Sequence, residues 1–424
     1  MDGVVIMKSI STIEELEKLD FDLIPEDEFW NTGKQKELLI HKVHVYPAKF
    51  PSLIAQKSFD YALKYDSKIK RVADVFCGCG TVAVEACRKG FDFYGCDLNP
   101  VAVLLSEVKT TNYQKSEVER IGNEIIDNFN ISEFKNMFQF ANERLKYWYT
   151  EKQYNQLYCL KQLIDNTNMS NDYHKLFLSV FSSILKPTSK WLTKSIKPQV
   201  DPNKEVHSVI ESFEKHLKIF INAIEQEDYK SNNTVEIQRM SVLDIDKKEY
   251  VDLIVTSPPY VTSYEYADLH QLSSLWLEYT DDYTALRKNS IGSQYGADKT
   301  VNFELNVIAQ KIVNQFPKNS QGAAIARYYS QMNDVVQVCY KLLKKCGLCI
   351  FVIGDTEYKG IRIENAKSLA ESMIINGFTI QQISKRKIAN KFLPSHRDIN
   401  GKFSSNKEDR KIYSQEYIVI GKKL

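Results

Sequence analysis

The 424 residues predict an α/β chain built on a doubly wound, mainly parallel sheet that carries a helical insertion. Three observations predict it. Short apolar runs bounded by Gly, Pro and Asp alternate with helix-length amphipathic runs at both ends of the chain, the pattern of repeated βαβ units. Two of those runs end on turns no regular element could continue, GCG at 78–80 and SPPY at 257–260. Between them, from about 105 to 230, the chain turns polar, helix-patterned and nearly free of glycine.

Taken in order, residues 1–40 form an acidic, mixed extension with a helix at 11–19, where a Ser or Thr cap precedes a Glu three positions on. A proline-bounded stretch, HKVHVYPAKFP, leads into a helix near 52–64. KRVADVF (70–76) reads as a buried strand, TVAVEACRKG as a helix closed by Gly90, and FDFYGCD as a second strand, together one βαβ unit. The segment 111–230 is the insertion. Strands resume at TVEIQRM (234–240) and VDLIVTS (251–257). A helix over 326–344 then leads through Gly347 to LCIFVIGD, a helix follows near 363–376, and the strands TIQQISKR and EYIVIGKK close the chain. The domains expected are thus 1–40 (extension), 41–110 (cofactor half), 111–230 (insertion) and 231–424 (catalytic half).

Charge is nearly balanced, 56 Lys+Arg against 54 Asp+Glu, which excludes a polycation but leaves room for a local basic face. The eight cysteines sit mostly inside apolar elements, as small buried hydrophobes do in a reducing compartment. Cys346-Gly-Leu-Cys349 is a lone CxxC without a second pair or a His cluster, and HxH and HExxH are absent, so no metal is expected. No run approaches a membrane span and no signal peptide pattern opens the chain, so a cytoplasmic protein is expected.

The first chemical constellation is Asp74-Val-Phe76-Cys-Gly78-Cys-Gly80. Its glycines allow a sharp strand-to-helix turn and a close approach of backbone to ligand. The second strand ends on Asp97, 17 residues after Gly80, where a carboxylate can accept both hydroxyls of a ribose. The turn is F-x-G-x-G, not G-x-G-x-x-G, and lacks the Lys-Ser/Thr of a P-loop. An adenosine ligand without a phosphate fits it, S-adenosylmethionine above all.

Phe76-x-Gly78-x-Gly80 followed by Thr256-Ser257-Pro258-Pro259-Tyr260 resembles the amino-group DNA methyltransferases, and the SPPY form resembles their cytosine-N4 members. The resemblance covers most of the chain and implies a Rossmann-like methyltransferase fold. His41-x-x-His44-x-Tyr46-Pro47-Ala48-Lys49-Phe50-Pro51 is similar to the segment packing against the cofactor, which adds Phe50 to the cofactor residues Phe76, Gly78, Gly80 and Asp97. Asp244, after the next strand, is read either as a partner of the adenine amine or as a surface-loop aspartate. Segments 195–199, 291–293 and 393–398 also have the look of this group.

The chemistry of the corner follows from its residues. An exocyclic amine is conjugated with its ring, so its lone pair is a poor nucleophile. Two acceptors on its N–H groups, the Ser257 hydroxyl and the Pro258 carbonyl, favour a pyramidal nitrogen and free that pair. Tyr260 offers a ring face for an extruded base. A C5-cytosine enzyme would attack through a cysteine, usually in Pro-Cys, and no Pro-Cys occurs here. Serine at 257, where adenine enzymes of the group more often show Asp or Asn, favours cytosine N4 over adenine N6.

Double-stranded DNA is the expected partner, with a cognate restriction endonuclease a further one. Lys190, Trp191, Lys194 and Lys197 form a basic run with one aromatic, read either as phosphate and base contacts or as a solvated loop around a packed Trp191. Lys385-Arg386-Lys387, Lys391 and His396-Arg397 form a second basic stretch that could line the same groove. The rival readings are an adenine-N6 enzyme, an RNA amine methyltransferase, and a catalytically silent nucleic-acid-binding subunit.

Overall fold

In the computed structural model, residues 9–33, 35–226, 233–261, 265–288, 290–293, 295, 300–388 and 415–424 are described, with residue 406 and three two-residue strands at 396–397, 403–404 and 410–411. The main sheet holds seven strands: β1 (Arg71–Asp74), β2 (Asp92–Asp97), β3 (Val235–Arg239), β4 (Val251–Thr256), β5 (Leu343–Ile353), β6 (Phe378–Lys387) and β7 (Gln415–Lys423). Their order is β3-β2-β1-β4-β5-β7-β6, parallel except for β7, which runs antiparallel to both neighbours. This is a Rossmann-like, doubly wound sheet, with its switch point where β1 lies between β2 and β4.

The period of two along each strand divides its side chains between two cores. Val72, Leu253, Ile350, Val352, Ile418 and Ile420 join the core beneath α1 (Ser52–Tyr65) and α2 (Thr81–Arg88). Ala73, Ile254, Cys349, Phe351, Ile353 and Val419 face the other core, beneath two later helices, Ser320–Leu342 and Asn365–Ile375. The first of these helices starts six residues ahead of the expected 326, because the Asn319 side chain accepts the Gln321 and Gly322 N–H groups. β5 likewise starts at Leu343 and not at Leu348: a register shift opposite Val251 and Leu253 absorbs Lys344–Gly347, with exposed Cys346 at φ +65°.

Between α3 (Pro100–Thr110) and β3, the regular elements among the described residues are all helical, chiefly α4 (Lys115–Asp127), α5 (Glu151–Asn166), α6 (Asn171–Ile184) and α7 (Val209–Gln226). They bury a core of their own that includes Val118, Ile121, Leu157, Leu160, Phe177, Phe181, Phe213 and Trp191. Leu272, Leu275 and Trp276, downstream of the SPPY corner, enter the same core. The inserted helices are thereby clamped to the segment that follows the SPPY corner.

Residues 9–33 pack along the sheet. Ile10 pairs with Ile380 and Glu26 with Lys385 along the edge strand β6, and Trp30 is buried beside α1. An edge strand gains a cover in this way. Among the described residues no helix is long and apolar enough to cross a membrane, and no cluster of His, Cys, Asp and Glu could hold a metal. All eight cysteines are free thiols.

Candidate functional site

A cavity opens at the carboxyl ends of β1, β2 and β4, where a sheet of this order places its ligand. Phe76, Gly78 and Asp97 line one side, Ser257 and Pro259 another, and Met240, Ser241 and Val242 a third. Ile291 and Tyr266 complete a mostly apolar wall.

The glycine turn is drawn tight by its own backbone. Gly80 N–H donates to the Cys77 carbonyl at 2.9 Å and Cys77 N–H to the Cys96 carbonyl at 3.0 Å, pinning the turn to β2. Gly78 and Gly80 have φ of +49° and +78°, which disfavour any side chain. A Cβ on Gly80 would also lie 2.8 Å from Ser106 Cα, so α2 and α3 can meet only over a glycine. Ser106 Oγ donates to the Gly78 carbonyl at 2.8 Å, leaving the Gly78 N–H to turn the other way.

That N–H donates to Asp97 at 2.9 Å, and the Asn99 N–H donates to the other Asp97 oxygen at 2.8 Å. Asn99 then caps α3 by accepting the Val101 N–H, with Pro100 at the first helical position. The cleft walls desolvate Asp97 and push its carboxyl up to about 6, against the pull of its two N–H donors. Its remaining lone pairs suit hydroxyl donors from a ligand.

Asp74 joins the turn to the SPPY corner. It accepts the Phe76 N–H at 3.0 Å and the Thr256 hydroxyl at 2.6 Å, so the end of β1 is tied to the residue before Ser257. Asp74 is 2 % exposed, and burial pushes its carboxyl up to about 7. The double proline ends β4 at once, and Pro258 is buried. Tyr260 is half-buried and donates its hydroxyl to Glu416 Oε1 at 3.2 Å.

Three of the expected cofactor residues, Gly80, Phe50 and Asp244, do not line the cavity; Gly80 packs against Ser106 just ahead of α2. Phe50 packs on the core under α1 and does not line the cavity; Tyr46 and Ala48 of the same segment do. The Tyr46 ring stacks on His270 with centroids 4.7 Å apart, and Ala48 turns at φ +56°, which swings the chain past the cavity before Phe50 is reached. Asp244 is exposed on a short 3-10 turn and lies outside the lining, which the loop supplies through Met240, Ser241 and Val242. Ser241 caps that turn by accepting the Leu243 N–H, and its place in the lining depends on which end of β3 faces the switch point.

Of the basic run, Trp191 is 2 % exposed and stacks on Trp148 at 4.9 Å, so the base-contact reading is corrected to packing. Its backbone pairs with Val200, and Leu192 N–H donates to the Gln199 carbonyl, closing a loop whose tip exposes Lys194 and Lys197. Lys190 is half-buried. Lys186 and Lys204 are internal staples, on the Ser195 carbonyl and on the Lys186 and Trp191 carbonyls. Burial pushes the Lys204 ammonium down to about 8.

The second basic stretch is also corrected in part. Lys385 and Arg386 are 6 % and 2 % exposed, held by the Asp22 carbonyl and by Glu416, and Lys387 pairs with Glu26. The charges of Lys385 and Arg386 are committed inside the fold, while Lys387 is exposed and makes its ion pair at the surface. Lys391 and the side chains of His396 and Arg397 lie outside the described residues.

No protein-family model matches the chain. In overall shape, a crystal structure of a SAM-dependent methyltransferase from Methanosarcina mazei aligns with 90% of this chain and 99% of its own at 8% identity, with a TM-score of 0.31. A stretch of 105 residues is 30% identical to the Type II methyltransferase M.MjaII of Methanocaldococcus jannaschii, covering 24% of this chain and 18% of that one. Over 416 residues, 89% of its own length and 90% of the relative's, the chain is 24% identical to the Type II methyltransferase M.MvaI of Kocuria varians.

Proposed function

We propose that the protein transfers a methyl group from S-adenosylmethionine to an exocyclic amine of DNA, the N4 amine of cytosine. The observation that carries the proposal is the shared cavity: Phe76 and Gly78 of the bend, the Asp97 carboxylate, and Ser257 and Pro259 of the SPPY corner line one cleft at the sheet's switch point. Similarity along most of the chain to a Type II methyltransferase supports DNA as the substrate.

The residues present fit the cofactor. Asp97 supplies the acceptor for ribose hydroxyls, Gly78 removes the Cβ that would narrow the approach, and Phe76, Met240, Val242 and Ile291 give apolar walls for a purine. When bound, S-adenosylmethionine supplies an electrophilic methyl group on a sulfonium sulfur.

The chain's own part is orientation. The Ser257 hydroxyl and the Pro258 carbonyl accept the two N–H groups of the amine, turning its lone pair toward the cofactor side of the cleft. The Asp74–Thr256 bond keeps corner and bend in fixed relation while this happens. Tyr260 provides the stacking wall for the extruded base. Serine is no base near neutral pH, so the amine sheds its proton as or after the new bond forms. The exposed Lys194 and Lys197 meet phosphates, which positions the duplex without reading it.

The test is a methylation assay on duplex DNA, followed by digestion to nucleosides and mass analysis. N4-methyldeoxycytidine is expected, and it is absent with Ser257→Ala. N6-methyldeoxyadenosine alone would move the base to adenine. Methylation of tRNA or rRNA in place of DNA would overturn the substrate. Absence of any product would leave the silent-subunit reading.

A further inference from the structure

We propose that Glu416 and Arg386 are positioning residues that lock the Tyr260 ring in the transfer site. The proposal rests on the function proposed above and adds to it two residues from the last strands of the sheet. The Tyr260 hydroxyl donates to one oxygen of Glu416, whose other oxygen is ion-paired with Arg386. Arg386 and Glu416 face each other directly across the antiparallel pair β6 and β7. The side chains of Arg386 and Glu416 are only 3% and 17% exposed.

Three features indicate a role beyond holding the sheet together. A buried Arg–Glu pair seldom stabilises a fold more than apolar side chains of the same volume would. Here the pair has a third member, a phenol from the SPPY corner 156 positions away. Moreover, Gly354 leaves room for the ring: a Cβ there would lie 3.2 Å from Tyr260 Cε2. The hydroxyl is thus tethered at one end of a ring whose edge runs over a glycine, and the ring plane is fixed before any base arrives. The flanking lysines turn to Asp22 and Glu26, so of this basic triplet Arg386 alone reaches the corner.

The chemistry gives the lock two consequences. A stacking wall already held in one orientation loses less freedom when a base enters. A phenol donating to a carboxylate also carries a more electron-rich ring, which favours the positive charge that grows on the amine as it is alkylated. Both act through Tyr260. Removing Glu416 should therefore matter only while the Tyr260 hydroxyl is present.

The experiment combines a double-mutant cycle with a direct view of the phenol. Glu416→Gln and Tyr260→Phe are each expected to lower kcat about tenfold, with the KM values for DNA and cofactor within about twofold of wild type. In the Tyr260→Phe background, Glu416→Gln should cost nothing further. Glu416→Gln/Arg386→Met removes both charges and leaves no unpaired buried cation, so it separates loss of the lock from loss of folding. Tyrosine labelled with 13C at the ζ carbon reports the tether itself. The Tyr260 signal, assigned by its disappearance in Tyr260→Phe, should shift in both Glu416 variants. An equal loss of kcat in the Tyr260→Phe background, or an unmoved ζ-carbon signal, overturns the proposal. A wild-type protein that methylates nothing overturns the function proposed above instead, and the ζ-carbon shift still decides whether Glu416 holds the ring.

Discussion

Asp97 should impose opposite pH dependences on cofactor binding and on the stability of the free chain. Its carboxyl is pushed up to about 6 by the cleft walls while it holds the Gly78 and Asn99 N–H groups. Ribose hydroxyls need the ionised form as acceptor. At pH 5 only about a tenth of the carboxyl is ionised, so the Kd for S-adenosylmethionine should rise about tenfold between pH 7.5 and 5. Stability runs the other way. The folded chain holds this proton more tightly than the unfolded chain, whose aspartate titrates near 3.8, so the contribution is full below that value and lost as the pH rises through 6. Asp74, pushed up to about 7, adds the same sign with a midpoint one unit higher. Isothermal titration calorimetry from pH 5 to 8, beside denaturant unfolding at the same pH values, measures both slopes. Asp97→Asn should flatten the binding profile below pH 7.5 and weaken binding by about 1.5–3 kcal/mol, the worth of hydrogen bonds to a charged acceptor. A wild-type Kd that stays constant from pH 7.5 to 5 would refute the assignment of Asp97 to the ribose.

Other expectations follow from the same contacts. Gly80→Ala should destabilise the fold by about 2–4 kcal/mol, roughly 1 from a left-handed φ and the rest from overlap with Ser106, read by denaturant unfolding. A loss under 1 kcal/mol would mean that α2 and α3 can part without strain. Ser257→Ala should lower kcat about a hundredfold while the cofactor Kd stays put, since the hydroxyl faces the amine and the Tyr260 phenol; calorimetry and single-turnover assays separate the two. Lys194→Ala/Lys197→Ala should weaken DNA binding at low salt and reduce the slope of log K against log salt by about 2. An unchanged slope would place both lysines off the DNA.

The seven strands and the two chemical turns were legible in the sequence because each depends on local rules. A double proline ends a strand wherever it stands, and GCG between an apolar run and a helix permits one kind of bend. The alternation that sends Val72 to one core and Ala73 to the other is likewise a period of two that any strand must show. What depended on distant partners was not legible. Whether Trp191 met solvent or Trp148 was undecidable from a basic run, because its burial is set by a ring far back along the chain. Tyr46 and Phe50 differ by one turn of chain, and only the left-handed bend at Ala48 selected the first for the cavity. Arg386 looked like a phosphate contact until its strand was placed beside Glu416. Side-chain type and spacing thus determined which chemistry this chain can carry. The pairing of strands and the burial of charge, free energies shared between segments far apart in sequence, decided which of its residues carry it.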